Sequence, residues 1–405
     1  MSAGLAVLAL ASCNRVLGLE DDYYIASAAS GGAGAGGETS PGAGTGGVSG
    51  GAPSVGGSSG GSGMSSEAGA AGESLVFAMP AGKLAFERFT TYAKGDSEMF
   101  VVTFPGGSIS PELGQAYGLC SLFNGMFSPD GRYLVVGAVP ATVCPTVGLD
   151  RNELEIYVLD LETPTPLGRQ RVTDNAVPDE DPQFARDGRS ILFKHAGHLA
   201  RWVLGSAPFN ETCTDTAGSY CFKHTGGTQQ SKPAIDGKGT VCYESSISQT
   251  DPNGDILCFD LSSGLAGKDI TLGDNVTLQV SHPNIYDSRP LFGGVDDSLL
   301  YFTRWSSSAA SHVEQIWRKD LKNINIAEEH AAFCVDADGG CEAAYSLGDA
   351  ELVVFASSAS SLGKRDLFVA KFHEKGSISL NLLVPETVLV NTEKDESAPA
   401  YWRAP

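Results

Sequence analysis

The stretch FSPDGRYLVVGA, residues 127–138, joins an aromatic residue to an Asp-Gly turn and then to a run of aromatic and β-branched residues. Asp-Gly is a strong hairpin signal, and the run that follows it is typical of a β-strand. Degraded copies of this phrase recur along the chain, and they begin at Pro182, Pro233, Pro290, Ala343 and Pro399. The stretch is therefore one unit of an internal repeat.

An apolar anchor residue marks each repeat. The anchors are Phe127, Phe184, Ile235, Phe292, Tyr345 and Tyr401, and successive anchors lie 57, 51, 57, 53 and 56 positions apart. A second strand follows each anchor strand, and then a third, for example LEIYVLDL at 154–161. Several strands per repeat, with turns between them and no helical periodicity, predict the blades of a β-propeller.

The two ends of the repeat region determine the predicted number of blades. KLAFERF at 83–89 is a second-strand sequence with no anchor strand before it, whereas the chain ends with an anchor strand that has no successor. We therefore expect ESAPAYW, residues 396–402, to be the innermost strand of the first blade. This arrangement closes an all-β ring of six blades and protects sheet edges that would otherwise be open.

The phrase FSPDGRYL, followed by IYVLDL, resembles the repeat of TolB-type six-bladed propellers, a group that is also similar to the propeller of prolyl oligopeptidases. The resemblance covers residues 76–405 and is strongest at 127–161 and 182–193. It implies a propeller that binds other proteins in the cell envelope, and it transfers no catalytic residues. Architecture carries over better than activity, because function depends on sites and not on folds.

The N-terminus predicts a lipid anchor. Residues 3–12, AGLAVLALAS, are apolar and too short to span a bilayer, and the run LASC ending at Cys13 resembles a bacterial lipobox. We expect a signal peptide at 1–12 and a lipidated segment at 13–30 that begins with Cys13, although the lack of a basic n-region leaves a chance apolar run as the alternative. By resemblance, Asn14 favours an outer-membrane lipoprotein that faces the periplasm or the cell surface. Its lipid would be the chain's only contact with the membrane.

Residues 31–75 predict a flexible linker. They contain 18 glycines among 45 positions, and such a composition buries too little apolar surface to offset the entropy of ordering. The domain plan is therefore a signal peptide, a lipidated segment, a disordered linker and a propeller at 76–405. The net charge of −21 argues against nucleic acid as a partner, because binding phosphates requires Lys and Arg.

Cysteine usage suggests disulfides. Besides Cys13 the chain has eight cysteines, an even number that fits an exported protein. Two close pairs lie in loop-like sequence, Cys213 with Cys221 and Cys334 with Cys341. Cys242 and Cys258 lie on successive strands of one hairpin, which leaves Cys120 to pair with Cys144. Buried free thiols are the alternative, and zinc is weakly supported because no CxxC spacing occurs.

Motifs for catalysis and metal binding are weak. A G-x-S-x-G motif at 56–60 and a G-x-G-x-x-G motif at 32–37 arise from the composition of the linker and lack the strand and helix that their chemistry needs. His195 and His198 flank a two-residue turn and could share a cation, but no third ligand is evident, and an exposed hairpin pair is the simpler interpretation. Asp251, Asn253 and Asp255 alternate as calcium ligands do, yet the same residues are typical of a turn. We therefore expect no cofactor, with calcium as a weak alternative.

The repeat predicts a ring of side chains around the axial channel. Innermost strands line the channel of a propeller, and three positions before the anchors stand Asn124, Asp181, Lys232, Arg289, Glu342 and Ala398. Two cations and two carboxylates suit a peptide or protein loop better than a single ion, while a structural ring of mutually satisfied charges is the alternative. We expect an envelope-anchored interaction module with a protein or peptide partner. The alternative function is a propeller enzyme, such as a metal-dependent lactonase or hydrolase.

Overall fold

The computed structural model describes most of the predicted propeller. The described residues are 78–90, 94–144, 148–185, 187–210, 221–222, 229–246, 254–260, 278–280, 285–294, 296–306, 314–334, 341–347, 351–357, 365–375, 377–383 and 390–405. The predicted signal peptide, the lipidated segment at Cys13 and the linker lie outside them. Among these residues, no helix is long and apolar enough to cross a membrane.

Six antiparallel sheets form the six blades of a β-propeller, as the sequence predicts. Blade 1 contains β1 (Gly82–Phe89), β2 (Glu98–Phe104), β3 (Ser108–Ile109) and the C-terminal β23 (Asp395–Arg403). Blade 2 contains β4 (Leu119–Phe127), β5 (Tyr133–Pro140), β6 (Glu155–Asp160) and β7 (Arg169–Arg171). Blade 3 contains, within the described residues, β8 (Asp179–Phe184), β9 (Ser190–His195) and β10 (His198–Val203).

The second half of the ring repeats this plan. Blade 4 contains β11 (Gln229–Ile235), β12 (Thr240–Ser246), β13 (Gly254–Asp260) and β14 (Leu278–Val280). Blade 5 contains β15 (Ile285–Gly293), β16 (Leu299–Ser306), β17 (Gln315–Asp320) and β18 (Glu329–His330). Blade 6 contains β19 (Cys341–Ser346), β20 (Leu352–Ser357), β21 (Asp366–Lys371) and β22 (Ile378–Ser379). A short helix, α1 (Leu113–Tyr117), and 3-10 turns at Ala141–Val143, Arg151–Glu153, Pro166–Gly168, Ala332–Cys334 and Leu380–Leu383 lie between strands.

The C-terminal strand closes the ring, and this prediction is confirmed. Strand β23 pairs antiparallel with β1, with Tyr401 opposite Leu84 and Trp402 opposite Lys83. Arg88 on β1 forms an ion pair of 2.9 Å with Glu396, whose side chain is fully buried. Each innermost strand also contacts the innermost strands of the two adjacent blades. The first and last parts of the propeller are therefore joined within one sheet.

The Asp-Gly turn of the FSPDGRY stretch connects blade 2 to the closing strand. Gly131 has a φ of 67°, a conformation that favours glycine. A Cβ at this position would lie 2.2 Å from the ring of Trp402, and the indole N–H of Trp402 donates to the Pro129 carbonyl at 3.0 Å. The turn therefore needs glycine both for its backbone and for its contact with the C-terminus.

Apolar clusters between neighbouring blades form the core. Leu134, Val136 and Leu159 of blade 2 pack against Ala85 and Met99 of blade 1. Similar clusters lie at the later blade junctions, such as the one that holds Tyr301 of blade 5 and Phe372 of blade 6. The second strands are buried on both faces because each lies between two neighbouring sheets, which explains their continuous runs of apolar residues.

The structure contains disulfides between Cys120 and Cys144 and between Cys242 and Cys258, as expected from the sequence. Cys221 is also disulfide-bonded, and its predicted partner Cys213 lies outside the described residues. The expected bond between Cys334 and Cys341 is absent, and both residues carry free, buried thiols. They lie in the apolar cluster between blades 5 and 6, where burial raises the pKa of Cys334 and favours its neutral thiol.

Candidate functional site: the axial cavity

A β-bulge interrupts the innermost strand of every blade at the same place. At each bulge two residues lie opposite one residue of the second strand, and the pairs are 124–125, 181–182, 232–233, 289–290, 343–344 and 398–399. The ladder stops pairing at this point, and the strand bends. Proline is the second residue in four of the six bulges, where it removes a donor that the ladder does not use.

The first bulge residue has a left-handed backbone in five blades. The φ values are 52° for Asn124, 54° for Asp181, 49° for Lys232, 53° for Arg289 and 45° for Ala398. Residues other than glycine rarely adopt this conformation, which costs about 1–3 kcal/mol and persists only where surrounding contacts hold it. The sequence predicted these five positions for the channel mouth, and the structure places them at equivalent points of the ring.

Glu342 lies elsewhere in the repeat. Its backbone pairs with Ala356, so that Ala343 and Ala344 occupy the bulge of blade 6. Glu342 is therefore equivalent to Glu180 of blade 3, one position before the bulge. The alignment on Tyr345 is off by one because blade 6 lacks the proline that marks the bulge in its neighbours. The side chain of Glu342 lies outside the described part of the structure.

A cavity of about 110 Å³ opens where the bulges meet. Five of the predicted mouth residues, Asn124, Asp181, Lys232, Arg289 and Ala398, line it. The rest of the lining was not predicted from the repeat, and it consists of Gly125, Met126, Pro182, Gln183, Pro233, Pro290, Leu291, Tyr345, Ser397 and Pro399. The recurring proline two positions before the anchor was the signal that could have identified much of this wall.

Hydrogen bonds link the mouth residues from blade to blade. The Asn124 side-chain amide donates to Asp181 Oδ1 at 2.8 Å, and the Lys232 backbone N–H donates to Asp181 Oδ2 at 3.2 Å. The backbone N–H of Asn124 in turn donates to Glu87 Oε1 of blade 1. The carboxylate of Asp181 therefore connects blades 2, 3 and 4, and its contacts help to hold the left-handed conformations at both neighbours.

Lys232 continues this linkage toward blade 5. Its Nζ lies 3.3 Å from Glu244 Oε2 and donates to Ser288 Oγ at 3.3 Å. Glu244 is buried and also accepts from the hydroxyls of Tyr286, at 2.6 Å, and Ser288, at 2.5 Å. A buried carboxylate needs such partners, because leaving it unpaired would cost several kcal/mol. Part of the predicted ring is thus the structural network that the sequence left open as an alternative.

Further buried ion pairs stabilise the ring near the inner ends of the blades. Arg151 donates to Glu180 at 2.7 Å, and Lys194 lies 3.0 Å from the same carboxylate. Arg304 forms a two-point contact with Asp287 at 2.6 and 3.0 Å. Burial raises the pKa of Glu396 to about 7, although hydrogen bonds from Thr392 and Arg88 oppose the change. The charged side chains of these pairs stabilise the fold, and none of them is part of the cavity lining.

The residues of the two weak metal motifs that the structure describes lie in hydrogen-bonded strands. His195 and His198 face each other across the Ala196-Gly197 hairpin, but His195 is buried and its Nδ1 lies 2.7 Å from Asp179 Oδ1. Asp255 pairs with Ser245 within a sheet and is buried, so it belongs to a strand and not to a loop. Asp251 and Asn253 lie outside the described residues. Within the described ranges, no group of three His, Cys, Asp or Glu side chains is placed to hold a metal ion.

Comparison with solved structures supports the architecture. TolB from Acinetobacter baumannii matches 80% of this chain and 67% of its own, with a TM-score of 0.52 and 14% sequence identity. The chain has the TolB-like propeller fold. The TolB-like propeller also matches hydrazine synthase from Kuenenia stuttgartiensis over 80% of this chain and 47% of that one, with a TM-score of 0.53 and 12% identity. No protein-family model matches the sequence, and no curated protein is detectably similar to it.

Proposed function

We propose that the protein is a cell-envelope lipoprotein whose TolB-like propeller binds a protein or peptide segment at the axial cavity. The observation that carries the proposal is the lining of this cavity, which combines an apolar wall with polar donors. Met126, Leu291 and Tyr345 supply apolar surface, while Gln183 and Arg289 supply polar donors. A peptide presents both an apolar side chain and backbone carbonyls, and this lining suits both.

The size of the cavity favours a segment of a larger partner over a whole small molecule. Sites that enclose drug-sized ligands have volumes of roughly 300–1,000 Å³, whereas this cavity has about 110 Å³. Such a volume accommodates one or two side chains of an inserted loop. The rest of the partner would then contact the surrounding face of the propeller.

The N-terminal region supports a role at a membrane surface. Lipidation at Cys13 after removal of residues 1–12 would anchor the chain, and the glycine-rich residues 31–75 would connect the anchor to the propeller. A flexible chain of 45 residues has an end-to-end distance of about 35–40 Å. The propeller could therefore reach partners at this distance from the membrane.

Site-specific photo-crosslinking in the native cells tests the binding site. A photoreactive amino acid replaces Gln183 in the cavity wall, and the matched control replaces Leu167, which is 94% exposed on the outer side of blade 2. We expect one discrete adduct from position 183 and none from 167, and the additional substitution Arg289→Ala should weaken the adduct. Adducts of equal yield at both positions, or none at position 183, would contradict binding at the cavity.

Metabolic labelling with a fatty acid tests the anchor separately. Cys13→Ala should abolish the label and release the protein from the membrane fraction, while its melting temperature stays unchanged. A wild-type protein without label would refute lipidation and leave the proposal for the cavity intact.

A further inference from the structure

The described cysteines fall into two chemical states. Cys120, Cys144, Cys221, Cys242 and Cys258 are all disulfide-bonded. Cys334 and Cys341 instead carry free thiols, each 1% exposed, and both lie in one buried apolar cluster. Two free thiols are thus held in the same buried cluster without a covalent bond between them.

Separate backbone contacts fix the two cysteines at the crossover from blade 5 to blade 6. Cys334 ends a 3-10 turn, and its N–H donates to the Ala331 carbonyl at 3.2 Å. Cys341 begins β19, and its N–H donates to the Glu314 carbonyl at 2.8 Å. Both side chains pack in one apolar cluster with Phe333 and Phe355. The thiols are therefore positioned by the fold on either side of residues 335–340, which lie outside the described residues.

Two other blades show the role of the residue that is equivalent to Cys341. Asp179, Glu396 and Cys341 each lie two residues before the bulge of their blade. The Asn175 side chain donates to Asp179 at 2.8 Å, and the Thr392 hydroxyl donates to Glu396 at 2.7 Å. In both cases a residue of the preceding crossover holds the start of the innermost strand. In blade 6 Cys341 occupies this position, and Cys334 of the preceding crossover lies in the same apolar cluster.

We propose that Cys334 and Cys341 form a redox-active pair that oxidises reversibly to a disulfide, while the other disulfides of the propeller stay closed. This differs from the permanent bond expected from the sequence, because the folded protein also accommodates the dithiol. Oxidation replaces a non-covalent contact between the crossover and β19 with a covalent one.

The reaction balances with a low-molecular-weight disulfide such as oxidised glutathione as the oxidant. One cysteine loses its proton, attacks a glutathione sulfur and releases one glutathione thiolate, which leaves a mixed disulfide. The second cysteine loses its proton and attacks the protein sulfur of this mixed disulfide, which forms the Cys334–Cys341 bond and releases the second glutathione. Two thiols are oxidised, and one glutathione disulfide is reduced to two thiols.

Burial sets the expected rate. The thiolate is the attacking species, and the apolar surroundings of both sulfurs disfavour it. The pair should therefore react with glutathione disulfide more slowly than an exposed thiol does, with a rate that rises when mild denaturant increases local opening.

Differential alkylation of the full-length protein tests the proposal. The protein is equilibrated in glutathione buffers from fully reducing to fully oxidising, quenched, alkylated and mapped by peptide mass spectrometry. We expect Cys334 and Cys341 to lose alkylation together and to appear as one linked peptide, while the sulfurs of Cys120, Cys144, Cys242 and Cys258 stay protected at the same ratios. Oxidation should also raise the melting temperature by a few degrees, because a disulfide constrains the unfolded chain.

Two variants separate pair chemistry from general effects of redox buffer. The double variant Cys334→Ser with Cys341→Ser should show no redox-dependent change in melting temperature. Cys334→Ser alone should stop at a glutathione adduct on Cys341. The proposal is overturned if both thiols remain alkylated in the most oxidising buffer or if they bond to other cysteines. It is also overturned if the Cys334–Cys341 bond is reduced only at the glutathione ratios that reduce the remaining disulfides.

Discussion

Replacing Gly131 with alanine tests how strongly the FSPDGRY turn depends on the closing strand. Alanine at a φ of 67° costs about 1–2 kcal/mol of folding free energy, because its Cβ approaches the backbone carbonyl. The same Cβ would lie 2.2 Å from the Trp402 ring, so the indole must move. Moving it breaks the hydrogen bond to Pro129 and the contact of Lys83 Nζ with the ring, at 5.4 Å from its centroid. These two interactions contribute about 1–2.5 kcal/mol together.

Blade 3 offers a matched control at Gly188. This residue occupies the equivalent turn with a φ of 64°, and its N–H donates to Ala185 just as that of Gly131 donates to Ser128, both at 2.9 Å. A Cβ at Gly188 would meet only Pro129 Cδ, at 3.8 Å. Gly188→Ala therefore carries the backbone cost without the collision.

The free energy of unfolding, measured by urea denaturation, should fall by about 2–4 kcal/mol in Gly131→Ala and by about 1–2 kcal/mol in Gly188→Ala. In a Trp402→Ala background the additional loss at Gly131 should disappear, because the indole is gone. Equal losses in the two glycine variants, or an undiminished loss at Gly131 without Trp402, would show that the turn does not depend on the C-terminal strand.

Three further perturbations follow from the ring and its charges. Deleting residues 396–405 removes most of β23, so the protein should aggregate or melt far below the wild type in a thermal scan, whereas deleting residues 31–75 should leave the melting temperature nearly unchanged. Burial raises the pKa of Glu396 from 4.5 to about 7, so the folded state keeps a proton that the unfolded chain releases. The resulting stability, on the order of 3 kcal/mol, is complete below pH 4.5 and lost as the pH rises through 7. Glu396→Gln should flatten the dependence of the melting temperature on pH in this window, and an unchanged slope would assign it to other groups. Asp181→Ala leaves the donors of Asn124 and Lys232 without their acceptor and should lower the free energy of unfolding, measured by urea denaturation, by about 1–3 kcal/mol. Asp181→Asn keeps one oxygen and should lower it less. Equal losses in the two variants would argue against the linkage.

The fold was predictable from the sequence because its signals are local and repeated. The Asp-Gly turn at residues 130–131 and the apolar second strands each determine a hairpin within a few residues. The second-strand pattern at 83–89 and the anchor-strand pattern at 396–402 then predict the pairing of β23 with β1, which the structure shows. The same reasoning located five of the mouth residues, because the first bulge residue keeps a constant distance from its anchor in those blades.

The site was less predictable because its contacts connect residues far apart in the chain. Nothing near Asp181 indicates that its carboxylate binds Asn124 on one side and the backbone of Lys232 on the other. The one-residue shift at Glu342 arises because only the pairing of β19 with β20 reveals where the bulge of blade 6 begins.

The sequence by itself determined that the chain forms six blades and that its last strand completes the first one, because turns, strand patterns and repeat length depend on neighbouring residues. Only the tertiary structure decided which charges at the mouth bind each other, where the cavity opens and that Cys334 and Cys341 meet as thiols. Those outcomes depend on the packing of adjacent blades, which brings together side chains such as Asn124 and Asp181 that are separated by 57 positions.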